Sequence, residues 1–361
     1  MALRFARPAQ PPTNAWKEIP VTPRGSTLLG ITFRPLQAAA LGLERRATLQ
    51  TLLAYPFPLI RLGAYWNRIE PQAGAFDTGE LDWQIDAAER AGKHVILAVG
   101  AVKTFGYPEF FVPPHRLDRP IREGSLVQPS THAELLAAAS AFITRLVSRY
   151  RDRPSIVAWQ LEHEAVDPLG VEHSWRLAVP FVECELQALR AADPSRPVMM
   201  NGFLPTSSLV RVSQWWRTRD QGDSLAVAGQ LADIVGIDYY PRTALASLGG
   251  RTLYLDGIES AGARVERLLP PIRAAGKQLM VSEGQAEPWE TTTVPPSPER
   301  QVAYSCPPEQ LVINYNAAMS GSRPESSLYA YLFWGAEYWL LRERSGDPSY
   351  LQAFAHILEH F

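Results

Sequence analysis

The chain has 361 residues, 46% of them hydrophobic and 20% charged, with a formal net charge of −2. That balance suits a soluble fold with a sizeable core and excludes wholesale disorder, and without a basic run it lacks the electrostatic footprint of a nucleic-acid binder. No apolar stretch approaches the roughly 20 residues that a bilayer crossing needs, so neither nucleic acid nor membrane is expected as a partner.

Residues 1–25 are proline-rich and read as an N-terminal extension, without the continuous apolar core of a secretory leader. The expectation is a cytoplasmic protein, with a secreted mature form left open. From there, short apolar runs alternate with longer amphipathic segments, the pattern of parallel strands joined by helical crossovers. Eight such rounds follow in order: LLGITFR from Leu28, PLIRLGAYW from Pro58, HVILAVG from His94, IVAWQLEHE from Ile156, PVMMNGF from Pro197, IVGIDYYP from Ile234, QLMVSEGQ from Gln278 and LYAYLFWG from Leu328. Nearly continuous apolar runs are what strands buried on both faces require. Between them, ELDWQIDAAERAG and ELLAAASAFITRLVSRY carry helical periodicity, and Gly92 is placed to stop the first.

Length alone allows two small domains or one large one. Eight rounds with no linker favour a single α/β domain over residues 26–361, a (β/α)8 TIM barrel with enlarged loops. An open doubly wound sheet is the rival, but no GxGxxG follows the first strand. Cys184 and Cys306 suit neither a disulfide framework nor a zinc-ligand pattern and are read as reduced thiols. Among the seven histidines there is no HxH or HExxH, so no metal and no cofactor is expected.

Chemistry is expected at the carboxyl ends of the strands, where barrel active sites are built. The long loops 101–130 and 286–308 belong there and hold Phe105, Tyr107, Phe110, Trp289 and the run VPPSP. Strand four ends in Glu162, His163 and Glu164, and strand seven ends near Glu283. Paired carboxyls in one cleft suit glycoside hydrolysis, one protonating the leaving oxygen and the other attacking the anomeric carbon or activating water. The spacing that separates retention from inversion cannot be read from sequence.

The motifs IRLGAYWNRIEPQAGAFD, WQLEHE, IDYYP, SEGQAEPW and YLFWGAEYW together resemble clan A of the glycoside hydrolases, the superfamily with catalytic glutamates on strands four and seven. The resemblance spans nearly the whole barrel, and each motif alone is weak. It implies a retaining β-glycosidase in which Glu164 is the acid/base, Glu283 the nucleophile and Arg61 the arginine that supports that nucleophile. Glu162 competes with Glu164, because residues two apart on a strand point the same way. The pattern WQxDNE of β-galactosidase-like members favours Glu164 and leaves Glu162 as a buried supporting carboxylate.

His163 departs from the family, which carries an asparagine before its acid/base where it contacts the sugar 2-hydroxyl. The departure implies either an altered C2 preference, a simple replacement, or a binding barrel without catalysis. Tyr240, rather than Tyr239, is expected to offer a hydroxyl to Glu283, and core packing is the competing reading for both. Trp334 resembles the family's sugar-stacking tryptophan; Trp66, Trp289 and Trp339 are weaker aromatic candidates, and Asn67 and Asn201 could reach sugar hydroxyls. Glu287 reads as loop structure or substrate rim, and GDSL at Gly222–Leu225 reads as a chance match to a serine-esterase string. The expected partner is a glycoside, oligosaccharide or polysaccharide, with β-galactosidase-like exo action favoured over an endo-acting glycanase.

Overall fold

A computed structural model describes residues 2–6, 9–10, 13–106, 110–167, 175–205, 208–218, 220–248, 251–289, 302–320 and 327–360. Tyr107 and the run VPPSP lie outside the described residues. Each of the eight expected strands is present: β1 (Leu28–Thr32), β2 (Leu59–Gly63), β3 (His94–Ala98), β4 (Ile156–Gln160), β5 (Val198–Phe203), β6 (Ile234–Tyr239), β7 (Gln278–Gln285) and β8 (Ala330–Trp334). They close into a barrel in sequential order, with β8 hydrogen-bonded to β1 in parallel register. The fold is therefore a (β/α)8 barrel.

Two compact bodies of chain can be described, each by itself. The first comprises residues 1–59, 204–211 and 238–361. Its apolar centre is aromatic: Phe354, on a helix over Ser349–Leu358, has ring centroids 4.9 Å from Trp339 and 5.1 Å from Phe333. It also carries a feature that the strand pattern did not announce. Ala2–Ala6 pairs antiparallel with Arg251–Asp256, which pairs with Arg242–Leu248, forming a three-stranded sheet outside the barrel.

The second body comprises residues 60–203 and 212–237. Helix α1 (Gly79–Arg90) ends at Gly92, whose φ of 67° is the left-handed conformation that glycine adopts without strain. Helix α2 (Ala133–Tyr150) buries Leu135, Ala139, Phe142, Ile143, Leu146, Val147 and Tyr150, the 3–4 spacing of an amphipathic stripe. Helix α3 (Val179–Ala192) and helix α4 (Ser224–Leu231) complete what is needed to place the site. No helix among the described residues is long and apolar enough to cross a membrane.

Candidate active site

Strand β4 stops at Gln160, earlier than its apolar run implies. The next residues form a tight turn in which Glu162 has φ 50° and Glu164 φ 43°, the only positive-φ positions outside glycine among the described residues. Alternation along a strand therefore does not govern where these two carboxylates point. Left-handed backbone at a non-glycine residue costs about 1–3 kcal/mol and persists only where its surroundings over-determine it.

The surroundings do so here. Glu162 accepts the backbone N–H of Val102 at 3.0 Å on Oε1 and that of Lys103 at 2.5 Å on Oε2. Both of its oxygens are thus committed to main chain. Burial pushes the Glu162 carboxyl up, with these two bonds opposing. Beside it, burial and the charge of Glu162 push Glu185 of α3 well above its usual 4.5. Lys103, fully buried, accepts the His163 N–H on its carbonyl at 3.0 Å and donates through Nζ to the carbonyls of Glu164 at 2.6 Å and Asp167 at 2.9 Å. From α4, Ser224 Oγ accepts the N–H groups of Val166 at 3.1 Å and Asp167 at 3.2 Å. The GDSL string that looked like chance is a structural tie: Asp223 caps α4 through Ala226 N–H, and Ser224 fastens the turn.

The protonation of His163 follows from a chain of hydrogen bonds that starts at Arg61. Arginine can only donate, so Gln160 must present Oε1 to Arg61 Nε at 2.6 Å. Gln160 Nε2 then donates to Asn201 Oδ1 at 3.1 Å, which leaves Asn201 Nδ2 to donate to His163 Nδ1 at 2.8 Å. Arg61 Nη2 faces the same Nδ1 at 3.3 Å. With two donors on Nδ1, the imidazole is the neutral tautomer carrying its hydrogen on Nε2. His163 is a hydrogen-bond donor at Nε2, as an asparagine amide would be at Nδ2. Asn201, expected to reach substrate, is instead engaged as the link that fixes this tautomer.

On β7, Val281 pairs with Tyr331 and Gly284 with Phe333, so three steps on one strand oppose two on the other. This is a β-bulge, the device that re-aims a side chain within a ladder, and Glu283 sits in it. Tyr240 Oη donates to Glu283 Oε2 at 2.7 Å. Burial first, and then the charge of Glu283, raise the Tyr240 phenol well above its usual 10, so it remains a donor. Tyr239 is fully buried and its hydroxyl has no partner among the described residues, which fits packing. Trp289 is 45% exposed, with its ring 4.9 Å from Tyr240 and its Nε1 donating to the Arg242 carbonyl at 2.8 Å.

Beyond β1, Arg34 forms a buried two-carboxylate cluster. Its guanidinium binds Glu287 through Nη1 at 2.7 Å and Nη2 at 2.8 Å, and binds Glu337 through Nε at 2.9 Å and Nη2 at 2.8 Å. It also lies over Trp334, 4.3 Å from the ring centroid. Burial alone would lower the Arg34 pKa, but Glu287 and Glu337 overcome it and raise it. Glu287 is therefore loop structure held by a buried arginine. Trp334 is partly exposed and has a cation on its ring.

Two aromatic expectations are corrected. Trp66 is fully buried, stacked on Phe142 at 5.1 Å with Nε1 donating to Glu70 Oε2 at 2.7 Å, and Trp339 is fully buried with Nε1 donating to the Ala286 carbonyl at 2.7 Å. Both pack the fold, because an indole this large is satisfied by apolar neighbours and one N–H partner. Lys103 and Arg34 went unnoticed in sequence, and Ser224 drew attention only within the GDSL string. A lone lysine beside an apolar run, AVGAVKTF, was the one available signal for the first.

Comparison with known proteins adds to this geometry. A family model described as β-galactosidase, glycoside hydrolase family 42, matches residues 57–181. A β-galactosidase of Geobacillus kaustophilus is 26% identical over 115 residues, 29% of this chain and 17% of that protein. A mannan endo-1,4-β-mannosidase F of Aspergillus fumigatus is 33% identical over 93 residues, 26% of this chain and 20% of that protein. The chain thus spans a fifth or less of the length of these two curated relatives in the matched stretches. Among solved structures, GH5_18 from Streptomyces cattleya in complex with GlcNAc superposes with a TM-score of 0.59 at 12% identity, covering 94% of this chain and 80% of that one. Xylanase 10B from Thermotoga maritima gives 0.52 at 14% identity, covering 86% and 84%. At such identities the structures show a shared fold alone, while the family match falls on the stretch that holds β2 to β4 and the WQLEHE motif. With that motif on a closed (β/α)8 barrel, the chain is similar to clan A of the glycoside hydrolases.

Proposed function

We propose that this protein is a retaining β-glycosidase acting by double displacement. Glu283 attacks C1 while Glu164 protonates the departing oxygen; Glu164 then takes a proton from water as the water oxygen attacks C1 and breaks its bond to Glu283, which releases the sugar and restores both carboxyls. The observation that carries the reading is the hydrogen bond from Tyr240, kept protonated by burial, to Glu283 on its bulge at the carboxyl end of β7. A carboxylate so held is oriented, which suits a nucleophile. Glu162, with both oxygens bound to main chain, has none to offer a leaving group, and this favours Glu164 as the acid. Arg61, as in the family, is proposed to support Glu283. His163 Nε2–H, Trp334 and Trp289 are the proposed sugar contacts.

The substrate class proposed first is a terminal β-galactoside or similar exo substrate, from the resemblance of WQLEHE and FWGAEYW to β-galactosidase-like sequences. Endo action on a β-glycan is the second reading, favoured by the stretch similar to a mannan endo-1,4-β-mannosidase. A panel of aryl β-glycosides (galactoside, glucoside, mannoside, fucoside, xyloside, glucuronide and N-acetylglucosaminide) tests both. Turnover by the wild type, lost in Glu283→Ala and restored by azide with the inverted glycosyl azide as product, is the expected result. Activity retained in Glu283→Ala would remove the nucleophile assignment. Silence on the panel with digestion of a polysaccharide would establish endo action, and binding of glycans without hydrolysis would make the chain a carbohydrate-binding barrel.

A further inference from the structure

The turn that carries Glu164 is held in an uncommon shape, and one residue from the loop after β3 touches it four times. The Lys103 N–H binds the Glu162 carboxylate at 2.5 Å and the Lys103 carbonyl takes the His163 N–H at 3.0 Å. Its ammonium donates to the Glu164 carbonyl at 2.6 Å and the Asp167 carbonyl at 2.9 Å. The first two contacts are main-chain and any residue could make them; the last two need a cationic or amide donor at the end of a long side chain. Both glutamates lie in left-handed backbone, φ 50° and 43°, where peptide carbonyls leave the strand ladder and must find other donors.

We propose that Lys103 is a positioning residue for the acid/base: its ammonium fixes the Glu162–Asp167 turn in the shape that presents the Glu164 carboxyl. The inference rests on the proposed role of Glu164. An apolar chain of equal length would fill the same space without the cost of burying an ammonium. What the ammonium adds is the pair of carbonyl bonds together with its attraction for the Glu162 and Asp167 carboxyls, and all of these fall on the turn that bears the acid. Ser224 holds the opposite side of the turn through the N–H groups of Val166 and Asp167. The loop after β3 and helix α4 thus clamp it between a donor and an acceptor, and a clamp of this kind is what keeps a catalytic carboxyl within productive geometry.

The test uses the dependence of rate on leaving group. Hydrolysis of a 2,4-dinitrophenyl β-glycoside needs little protonic help in its first step, whereas an alkyl β-glycoside depends on it. Lys103→Met is expected to lose roughly ten- to a hundredfold in kcat/KM on the alkyl glycoside, a fraction of what general acid catalysis supplies, while staying within about threefold of wild type on the dinitrophenyl glycoside. Azide is expected to raise its kcat on the dinitrophenyl substrate and to give the glycosyl azide of retained configuration, because the base-assisted second step is then slow. Lys103→Gln, which keeps one amide donor, should fall between the two. Equal losses on both substrates in either variant, with far-UV circular dichroism unchanged, would overturn the inference and leave the proposed function standing. If Lys103→Met does not fold, Lys103→Gln carries the same comparison. A wild type inert on every glycoside would overturn the function and this inference with it.

Discussion

Because Arg61 has no acceptor, the orientation of Gln160, then of Asn201, then of the His163 ring follows in sequence. The ring so obtained offers an N–H from Nε2 in the place where the family carries an asparagine amide, but from a bulkier and more rigid group. Nitrogen NMR of histidine-labelled protein at pH 7, with His163→Asn used to assign the signal, is expected to show His163 protonated on Nε2 only; a proton on Nδ1 would break the chain of assignments. The same variant tests specificity. His163→Asn is expected to reorder rates among glycosides that differ at C2 by about tenfold, the size of one well-placed hydrogen bond, and an unchanged ranking would reduce His163 to a simple replacement. The motif WQLEHE was enough to single out Glu162, His163 and Glu164, but it could not show that both oxygens of Glu162 bind main chain. Those donors, Val102 and Lys103, lie 60 and 59 residues away in sequence, and no local pattern points to them.

At the scale of the element, the eight strands were legible because a strand buried on both faces must be apolar along its length. Their ends were not. The run IVAWQLEHE continues past β4, and the turn that replaces its last residues is set by Lys103 and Ser224 rather than by its own composition. The bulge in β7 is equally silent in sequence, yet it brings a specific requirement. A Cβ on Gly284 would lie 2.3 Å from Oη and Cζ of Tyr331, a buried ring that cannot withdraw. Gly284→Ala is therefore expected to cost about 1–3 kcal/mol as overpacking, seen as a lower urea midpoint. It should also disturb Glu283 next door, so activity should fall by more than the unfolded fraction explains. Adding Tyr331→Leu should recover part of the stability, since residues in contact are not additive. A Gly284→Ala protein as stable and active as wild type would mean that the bulge accepts a side chain and does not set the aim of Glu283.

For the whole molecule, the dependence of stability on pH follows from two opposed sets of carboxyls. Hydrogen bonds from Arg153 hold Glu89 below its usual value; burial pushes Asp82 up, but the bonds from Arg149 and Tyr150 outweigh it and hold it below. These groups stabilise the fold above their unfolded pKa, and that contribution is lost as pH falls through the folded value. Burial acts the other way on Asp167, which is pushed up to about 6 and lies 5% exposed between Ser224 and Gln214. The native state then binds a proton that the unfolded chain has already released, so stability declines as pH rises from 3.8 towards 6 and does not recover above it. Glu185 and Glu337, both also raised by burial, extend the decline. The stability maximum is thus expected on the acid side of neutrality, around pH 5. Asp167→Asn removes one of the charges that must be buried and keeps an acceptor for Ser224. At pH 7–8 it should be more stable than wild type by up to about 3 kcal/mol, with the difference shrinking to nothing below about pH 3, where the wild-type carboxyl is protonated in both states. Thermal melts of the two proteins across that range decide the matter. A constant offset at every pH would show that packing rather than ionisation separates them, and a variant destabilised only at high pH would mean that the Asp167 charge supports the fold, with Lys103 as its counter-ion.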